Sequence, residues 1–173
     1  MNLAPASVRD YRERARAKLP RQLFDYIDGG AYDEATLRAN EADLQALELR
    51  QRVMRDVGHI SLRTTVLGRD LKMPVILAPV GLAGMFACRA EVAAARAAQT
   101  AGIVFTESTV SIAGIEEVAA ATTNPFWFQI YVMRDRSYAE SLFQRAAAVG
   151  CGTLALPADF AALFQGAAER WTS

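Results

Sequence analysis

From Lys72 onward the chain repeats one short phrase: an apolar run without alternation, a loop of small residues, then an alanine-rich amphipathic stretch. The runs are VILAP from position 75, IVFTES from 103, FWFQIYV from 126 and TLALP from 153. Helical spacing fills about 89 to 101, 114 to 121 and 136 to 149 between them. Unbroken apolar runs describe strands covered on both faces, and crossovers of this length describe parallel pairing. The phrase therefore predicts an α/β domain. Periodicity alone does not separate a doubly wound open sheet from an eight-stranded barrel, which takes about 250 residues.

The first 71 residues follow a different grammar. Ser7 is a natural N-cap for a helix through about Ala17. Pro20 suits the first turn of a second helix ending near Gly29-Gly30, and Asp33 is placed to cap a third through about Leu44. Two alternating stretches, LELRQRV at 47–53 and SLRTTVLG at 61–68, read as short strands pairing in a hairpin. The expected organisation is an N-terminal helical extension with a hairpin over 1–71, the strand–helix series over 72–156, and a divergent helical tail over 157–173.

Charge narrows the partners. With 19 basic and 19 acidic residues the net charge is zero, so no global field attracts nucleic acid. The basic run Arg9, Arg12, Arg14, Arg16, Lys18 and Arg21 reads as a solvated helix face that could also touch an anionic membrane surface. Cys88 and Cys151 form neither a CxxC pair nor a Cys/His metal spacing, which points away from a disulfide framework or metal site and toward a reducing, cytoplasmic setting. The N-terminal stretch lacks the apolar core of a signal peptide or membrane span, so the expectation is a soluble protein, at most peripheral to the inner membrane.

In either α/β architecture ligands bind beyond the C-terminal ends of the strands. The residues there are Ala78-Pro79-Val80-Gly81, Thr106-Glu107-Ser108-Thr109, Gln129-Ile130-Tyr131 and Leu156-Pro157-Ala158-Asp159. Pro79, Val80 and Gly81 make a loop of small bulk that lets backbone groups approach a flat ligand. Ser108 and Gln129 donate and accept hydrogen bonds as a heteroaromatic edge requires, and Tyr131 adds a phenol. Each has a structural alternative: Ser108 capping the next helix, Gln129 satisfying a buried backbone group, Tyr131 in the core. His59, the only histidine, lies between Gly58 and Ile60, away from every strand exit, and is not read as a catalytic base.

The segments LPRQLFDYIDGGAYDEATL, LKMPVILAPVGLAGM, FTESTVSIAGIEEVA, WFQIYVMRDR and AAAVGCGTLAL together resemble the N-terminal half of the FMN-dependent α-hydroxy acid dehydrogenases and oxidases, above all their quinone-linked L-lactate dehydrogenase branch. The resemblance runs from about residue 7 to 156. It implies a (β/α)₈ barrel of which about four βα units are present, with an N-terminal helical extension and FMN at the barrel mouth. It implies that Pro79, Val80 and Gly81 form the loop against the flavin and that Ser108 and Gln129 bond the isoalloxazine. Tyr26 would hold the substrate carboxylate and Tyr131 would face the substrate oxygen as the second active-site tyrosine.

The implied reaction oxidises an L-2-hydroxy acid, L-lactate to pyruvate first, and passes two electrons to FMN, which a quinone, a cytochrome or oxygen reoxidises. It also requires a histidine base, an arginine clamp and a lysine beside the flavin, which the family draws from the later barrel. Where the family ends its fourth strand in Thr-Val-Asp, this chain has Pro157-Ala158-Asp159, and Glu107 and Ala90 replace residues that are usually apolar or small, and glycine. A glutamate at 107 is expected to crowd or repel a flavin unless it points to solvent. The expectation is a truncated fragment without turnover, or alternatively a non-catalytic remnant or half-barrel interaction module, homo-oligomeric if it folds.

Overall fold

The computed structural model describes residues 4–131 and 133–158, so Asp159 and the rest of the expected tail lie outside the described residues. Two compact units divide the chain at Ile60/Ser61.

The first unit is helical. In α1 (Val8–Lys18) the Ser7 side chain accepts from the Asp10 N–H while the Asp10 carboxylate accepts from the Ser7 N–H, a reciprocal cap that satisfies two otherwise orphaned donors. Pro20 is the N-cap of α2 (Arg21–Asp28), and an ion pair joins Arg12 of α1 to Asp28 at the end of α2. The third helix, α3 (Ala35–Gln45), departs from expectation: its N-cap is Glu34, in the left-handed region at φ 57°, and no side chain caps it. Asp33 is therefore not the cap. Glu34 instead turns its carboxylate back to accept the Gly30 N–H at 3.1 Å, closing the turn between the two helices.

The expected strand at 47–53 is absent. That segment is irregular, with Leu47, Leu49 and Val53 exposed. Alternation is a local signal, whereas a strand needs a ladder partner, and the neighbouring segment has a nearer one. In the second unit β1 (Thr64–Val66) pairs antiparallel with β2 (Arg69–Leu71) across the two-residue turn Leu67-Gly68. Both turn residues have positive φ, 47° and 75°, the twist that suits a tight hairpin. The hairpin thus lies wholly within 64–71.

The repeating phrase folds as a four-stranded parallel sheet in the order β3 (Ile76–Leu77), β4 (Val104–Ser108), β5 (Trp127–Gln129) and β6 (Leu154–Ala155). Helices α4 (Ala90–Ala101), α5 (Ile115–Ala121) and α6 (Arg136–Ala148) make the three crossovers. The class is α/β with parallel pairing. Each helix buries one stripe: Val92, Ala95 and Ala98 from α4, Ile115 and Val118 from α5, Leu142 and Ala146 from α6. These meet Phe105, Phe126, Phe128 and Ile130 from the strands and their borders, with Phe105 and Phe126 packed at 6.3 Å between ring centroids. Each such large side chain contributes roughly 1.5–3 kcal/mol by leaving water. Alanines on the helices let them lie close to the sheet, and Gly102, at φ 70°, ends α4 where a side chain would meet Lys72. No described helix is long and apolar enough to cross a membrane.

Candidate functional site

Strand periodicity sorts the exit residues. Along β4, Phe105 and Glu107 face the helix layer and Thr106 and Ser108 face the other side of the sheet. The register sets Thr106 beside Trp127, Glu107 beside Phe128 and Ser108 beside Gln129. The two polar residues singled out in successive strand exits are thus cross-strand neighbours on one face.

They are bonded to each other. The Ser108 hydroxyl donates to Gln129 Oε1 at 3.0 Å in a buried position, and Ser108 Oγ also accepts the Val110 N–H at 3.3 Å. Ser108 therefore organises its own exit loop and does not cap α5, whose N-cap is Gly114. Next to it, Thr109 Oγ1 donates to the Gln129 carbonyl and accepts the Tyr131 N–H at 3.1 Å, fastening the ends of β4 and β5. With Oε1 occupied by Ser108, the Gln129 amide nitrogen is left buried, the residue being 4% exposed, without a partner among the described residues. An unpaired buried donor costs about 1–3 kcal/mol, so an acceptor supplied by a ligand would recover that energy.

The loop after β3 closes over this pair. A Cβ on Gly81 would stand 2.7 Å from Val110 Cγ2 and 3.8 Å from Ser108 Oγ, so only glycine lets the backbone come this near. Leu82, at φ 56°, donates its N–H to the Val110 carbonyl at 3.0 Å. Pro79 and Val80 precede it on the exposed side of the same loop. Gly81, Ser108 and Gln129 are therefore brought together, with Tyr131 half-buried two positions beyond Gln129. Tyr26 belongs to the first unit, where it lies 72% exposed on α2.

Glu107 neither reaches solvent nor faces this site. It is 1% exposed on the opposite, helix-covered face, beside a cleft of about 150 Å³ that Ser111, Tyr138 and Arg145 also line. Burial first, and the charges of Glu91 and Glu116 second, push its carboxyl up to about 8. At neutral pH it is mostly protonated, so it does not oppose a ligand across the sheet by charge. Arg145 is held by Glu116 in a two-pronged ion pair with both contacts at 2.7 Å, and that bond draws the Glu116 carboxyl down to about 2.

Sequence reasoning missed Glu91. A lone acid in the first turn of an alanine-rich helix reads as a solvent-facing charge complementing the helix dipole. Here it is buried, and its Oε1 accepts the N–H groups of both Gly84 and Ile112 at 3.0 Å. Only tertiary burial distinguishes the two, and no local pattern announces it.

The arrangement fits a flat heteroaromatic group lying on small backbone, with an orphaned amide donor at its edge. The chain is 55% identical over 150 residues to the L-lactate dehydrogenase of Vibrio parahaemolyticus, covering 87% of this chain and 40% of that protein. It is also 55% identical over 154 residues to the L-lactate dehydrogenase of Xanthobacter autotrophicus, covering 89% and 40%. It thus spans about two fifths of the length of the curated relatives it matches. Among solved structures it superposes on a soluble mutant of the membrane-associated (S)-mandelate dehydrogenase from Pseudomonas putida with a TM-score of 0.81 at 38% identity, covering 86% of this chain and 42% of that one. Mandelate oxidase gives a TM-score of 0.81 at 34% identity, covering 88% and 44%. A model of the FMN-dependent dehydrogenases matches residues 15–170, running past Leu156, where the recognisable motifs end. With the match covering most of its length, the chain belongs to the FMN-dependent dehydrogenase family.

Proposed function

We propose that this chain supplies one half of an FMN site in a protein that oxidises an L-2-hydroxy acid, L-lactate before others, to the 2-oxo acid. The observation that carries the reading is the buried Gln129 amide, without a partner among the described residues, beside Ser108 and beneath a loop that admits only glycine at 81. The parallel sheet β3–β6 is read as the first four strands of a (β/α)₈ barrel, whose strand exits are where such a ligand belongs. Similarity to L-lactate dehydrogenases at 55% identity favours lactate within the substrate class.

The strand-exit positions and the family motifs support these roles. When FMN is bound, the backbone of Pro79, Val80 and Gly81 would flank the ring, and Gln129 Nε2 would donate to an acceptor on it. Ser108 holds the Gln129 amide in the orientation that frees those two hydrogens. Tyr131, two positions beyond Gln129, would bond the substrate oxygen, and the FDYIDGG motif alone assigns the carboxylate to Tyr26. The chemistry that bound FMN supplies is acceptance of the two electrons and the hydrogen released as the hydroxy acid becomes an oxo acid.

A positioned base is worth about 10²–10⁴ in rate, and the chain's only histidine, His59, lies in the irregular segment before β1 and at no strand exit. Accordingly, the 173 residues by themselves bind FMN weakly and do not turn over. A titration of the purified chain with FMN, followed by flavin absorbance and fluorescence, tests this. Saturable binding that Gln129→Leu weakens about 2- to 10-fold is expected, one hydrogen bond being worth about 0.5–1.5 kcal/mol. No saturable binding would count against the half-site, and bleaching of the bound flavin by L-lactate would count against the absence of turnover.

A second reading is favoured by one observation: among the described residues β3 and β6 each have a single strand neighbour, and Leu154 and Leu156 at the β6 border are 46% and 68% exposed. On that reading the chain is an interaction module that completes its sheet with another half-barrel.

A further inference from the structure

We infer that Glu91 is a positioning residue for the proposed flavin site, latching the loop after β3 and the loop after β4 into one rigid shelf. Glu91 is the second residue of α4, 2% exposed, and touches neither Ser108 nor Gln129 among the bonds described. Its Oε1 receives the Gly84 N–H from the first loop and the Ile112 N–H from the second, each at 3.0 Å, so one oxygen bridges the two segments.

Three further contacts lie along the same seam. Leu82 donates to the Val110 carbonyl at 3.0 Å. A Cβ on Gly84 would stand 2.7 Å from the Cβ of Ile112, and one on Gly81 2.7 Å from Val110 Cγ2. The two loops therefore meet at Gly81 and Leu82 against Val110 and at Gly84 against Ile112. Gly84 lies three residues beyond Gly81, and Ile112 four beyond Ser108. Anchoring Gly84 and Ile112 to one buried carboxylate fixes how far the Gly81 backbone stands from the Ser108–Gln129 pair. That spacing decides whether a planar ring is held between them. Backbone N–H groups at such a part-buried seam call for an acceptor, and Glu91 is the acceptor for both.

The functional half of this inference rests on the flavin reading above, whereas the latch itself does not, and the experiment separates them. Amide hydrogen exchange is measured on the full chain as wild type, Glu91→Ala and Glu91→Gln, with FMN titrated against each. In wild type the Gly84 and Ile112 amides are expected to be protected at least about 10-fold over free peptide, and unprotected amides would overturn the latch whether or not any variant folds. Glu91→Ala is expected to speed exchange at Gly84, Ile112 and also Leu82, whose N–H does not bond Glu91. Glu91→Gln, which keeps an acceptor oxygen, is expected to restore all three. Faster exchange confined to Gly84 and Ile112 would mean that the loops do not move as one, overturning the shelf. FMN affinity is expected to fall about 10-fold in Glu91→Ala and to recover in Glu91→Gln. Equal FMN affinity in all three proteins would overturn the positioning role, while failure of wild type to bind FMN would refute the flavin reading and the positioning role with it, leaving the latch to be judged on exchange alone.

Discussion

Glu107 occupies a position where an apolar residue would bury more cheaply. It faces Phe128 across the ladder in the helix-covered layer, with one carboxylate oxygen lacking a partner among the described residues. Because its pKa is raised from 4.5 to about 8, the folded state holds a proton that the unfolded chain has released in between. Its contribution is complete below about pH 4.5, declines as pH rises through that window and is gone above about 8, a loss on the order of a few kcal/mol. Glu107→Leu is therefore expected to stabilise the chain, by about 2–4 kcal/mol more at pH 9 than at pH 4.5. Urea unfolding at the two values measures this, and an equal gain at both would contradict it. The same burial, with the Glu107 charge second, pushes the Cys151 thiol up to about 12. A thiol reagent at pH 8 is expected to modify the exposed Cys88 quickly and Cys151 only after denaturation; rapid modification of two thiols in the folded chain would contradict the burial. Ser108 and Gln129 were legible in sequence because each closes an apolar run. The side of the sheet that Glu107 faces required the strand register.

At the scale of elements, what could be read early were the features whose cause is local. The Ser7 cap, the alanine stripes of α4 and α6 and the four apolar runs each carry their own signal within a few residues. What could not be read depended on competition between segments. The 47–53 stretch alternates as a strand should, yet β2 is already joined to β1 by a two-residue turn, and closing so short a loop is entropically easier. Asp33 has the chemistry of a cap, but the left-handed Glu34 turns the chain so that the carboxylate of Glu34 serves the preceding turn. The hairpin turn itself uses Leu67 at φ 47°, a conformation that a branched apolar residue adopts at a cost. Leu67→Asn is expected to raise stability by about 0.5–1 kcal/mol, since asparagine tolerates that region and Leu67 is largely exposed. Thermal unfolding checks it, and a destabilised variant would mean that the leucine side chain contributes contacts its exposure does not suggest.

For the whole molecule, the question is what the ends of the β3–β6 sheet do. A strand at a sheet border presents unpaired N–H and C=O groups that template pairing with another chain, and natural folds usually cover or charge such borders. Leu154 and Leu156 at the β6 end are apolar, so the border is neither charged nor, among the described residues, covered. Burial of apolar area is worth roughly 25 cal/mol per Å², and two leucines on each of two chains supply several kcal/mol toward association. The chain is therefore expected to elute as a dimer or larger species at micromolar concentration, by size exclusion with light scattering. Leu154→Lys with Leu156→Lys is expected to shift it toward monomer, because a buried ammonium at the joined border would be desolvated without a partner. Leu49→Lys serves as the control: Leu49 is fully exposed in the irregular segment of the other unit, and its replacement adds the same kind of charge without touching the sheet. A monomeric wild type, or an equal response to all the lysines, would mean that the sheet border is not where copies meet. The half-barrel reading would then lose its one structural support, while the flavin reading, which rests on Gln129, Ser108, the Gly81 loop and the family match, would be untouched.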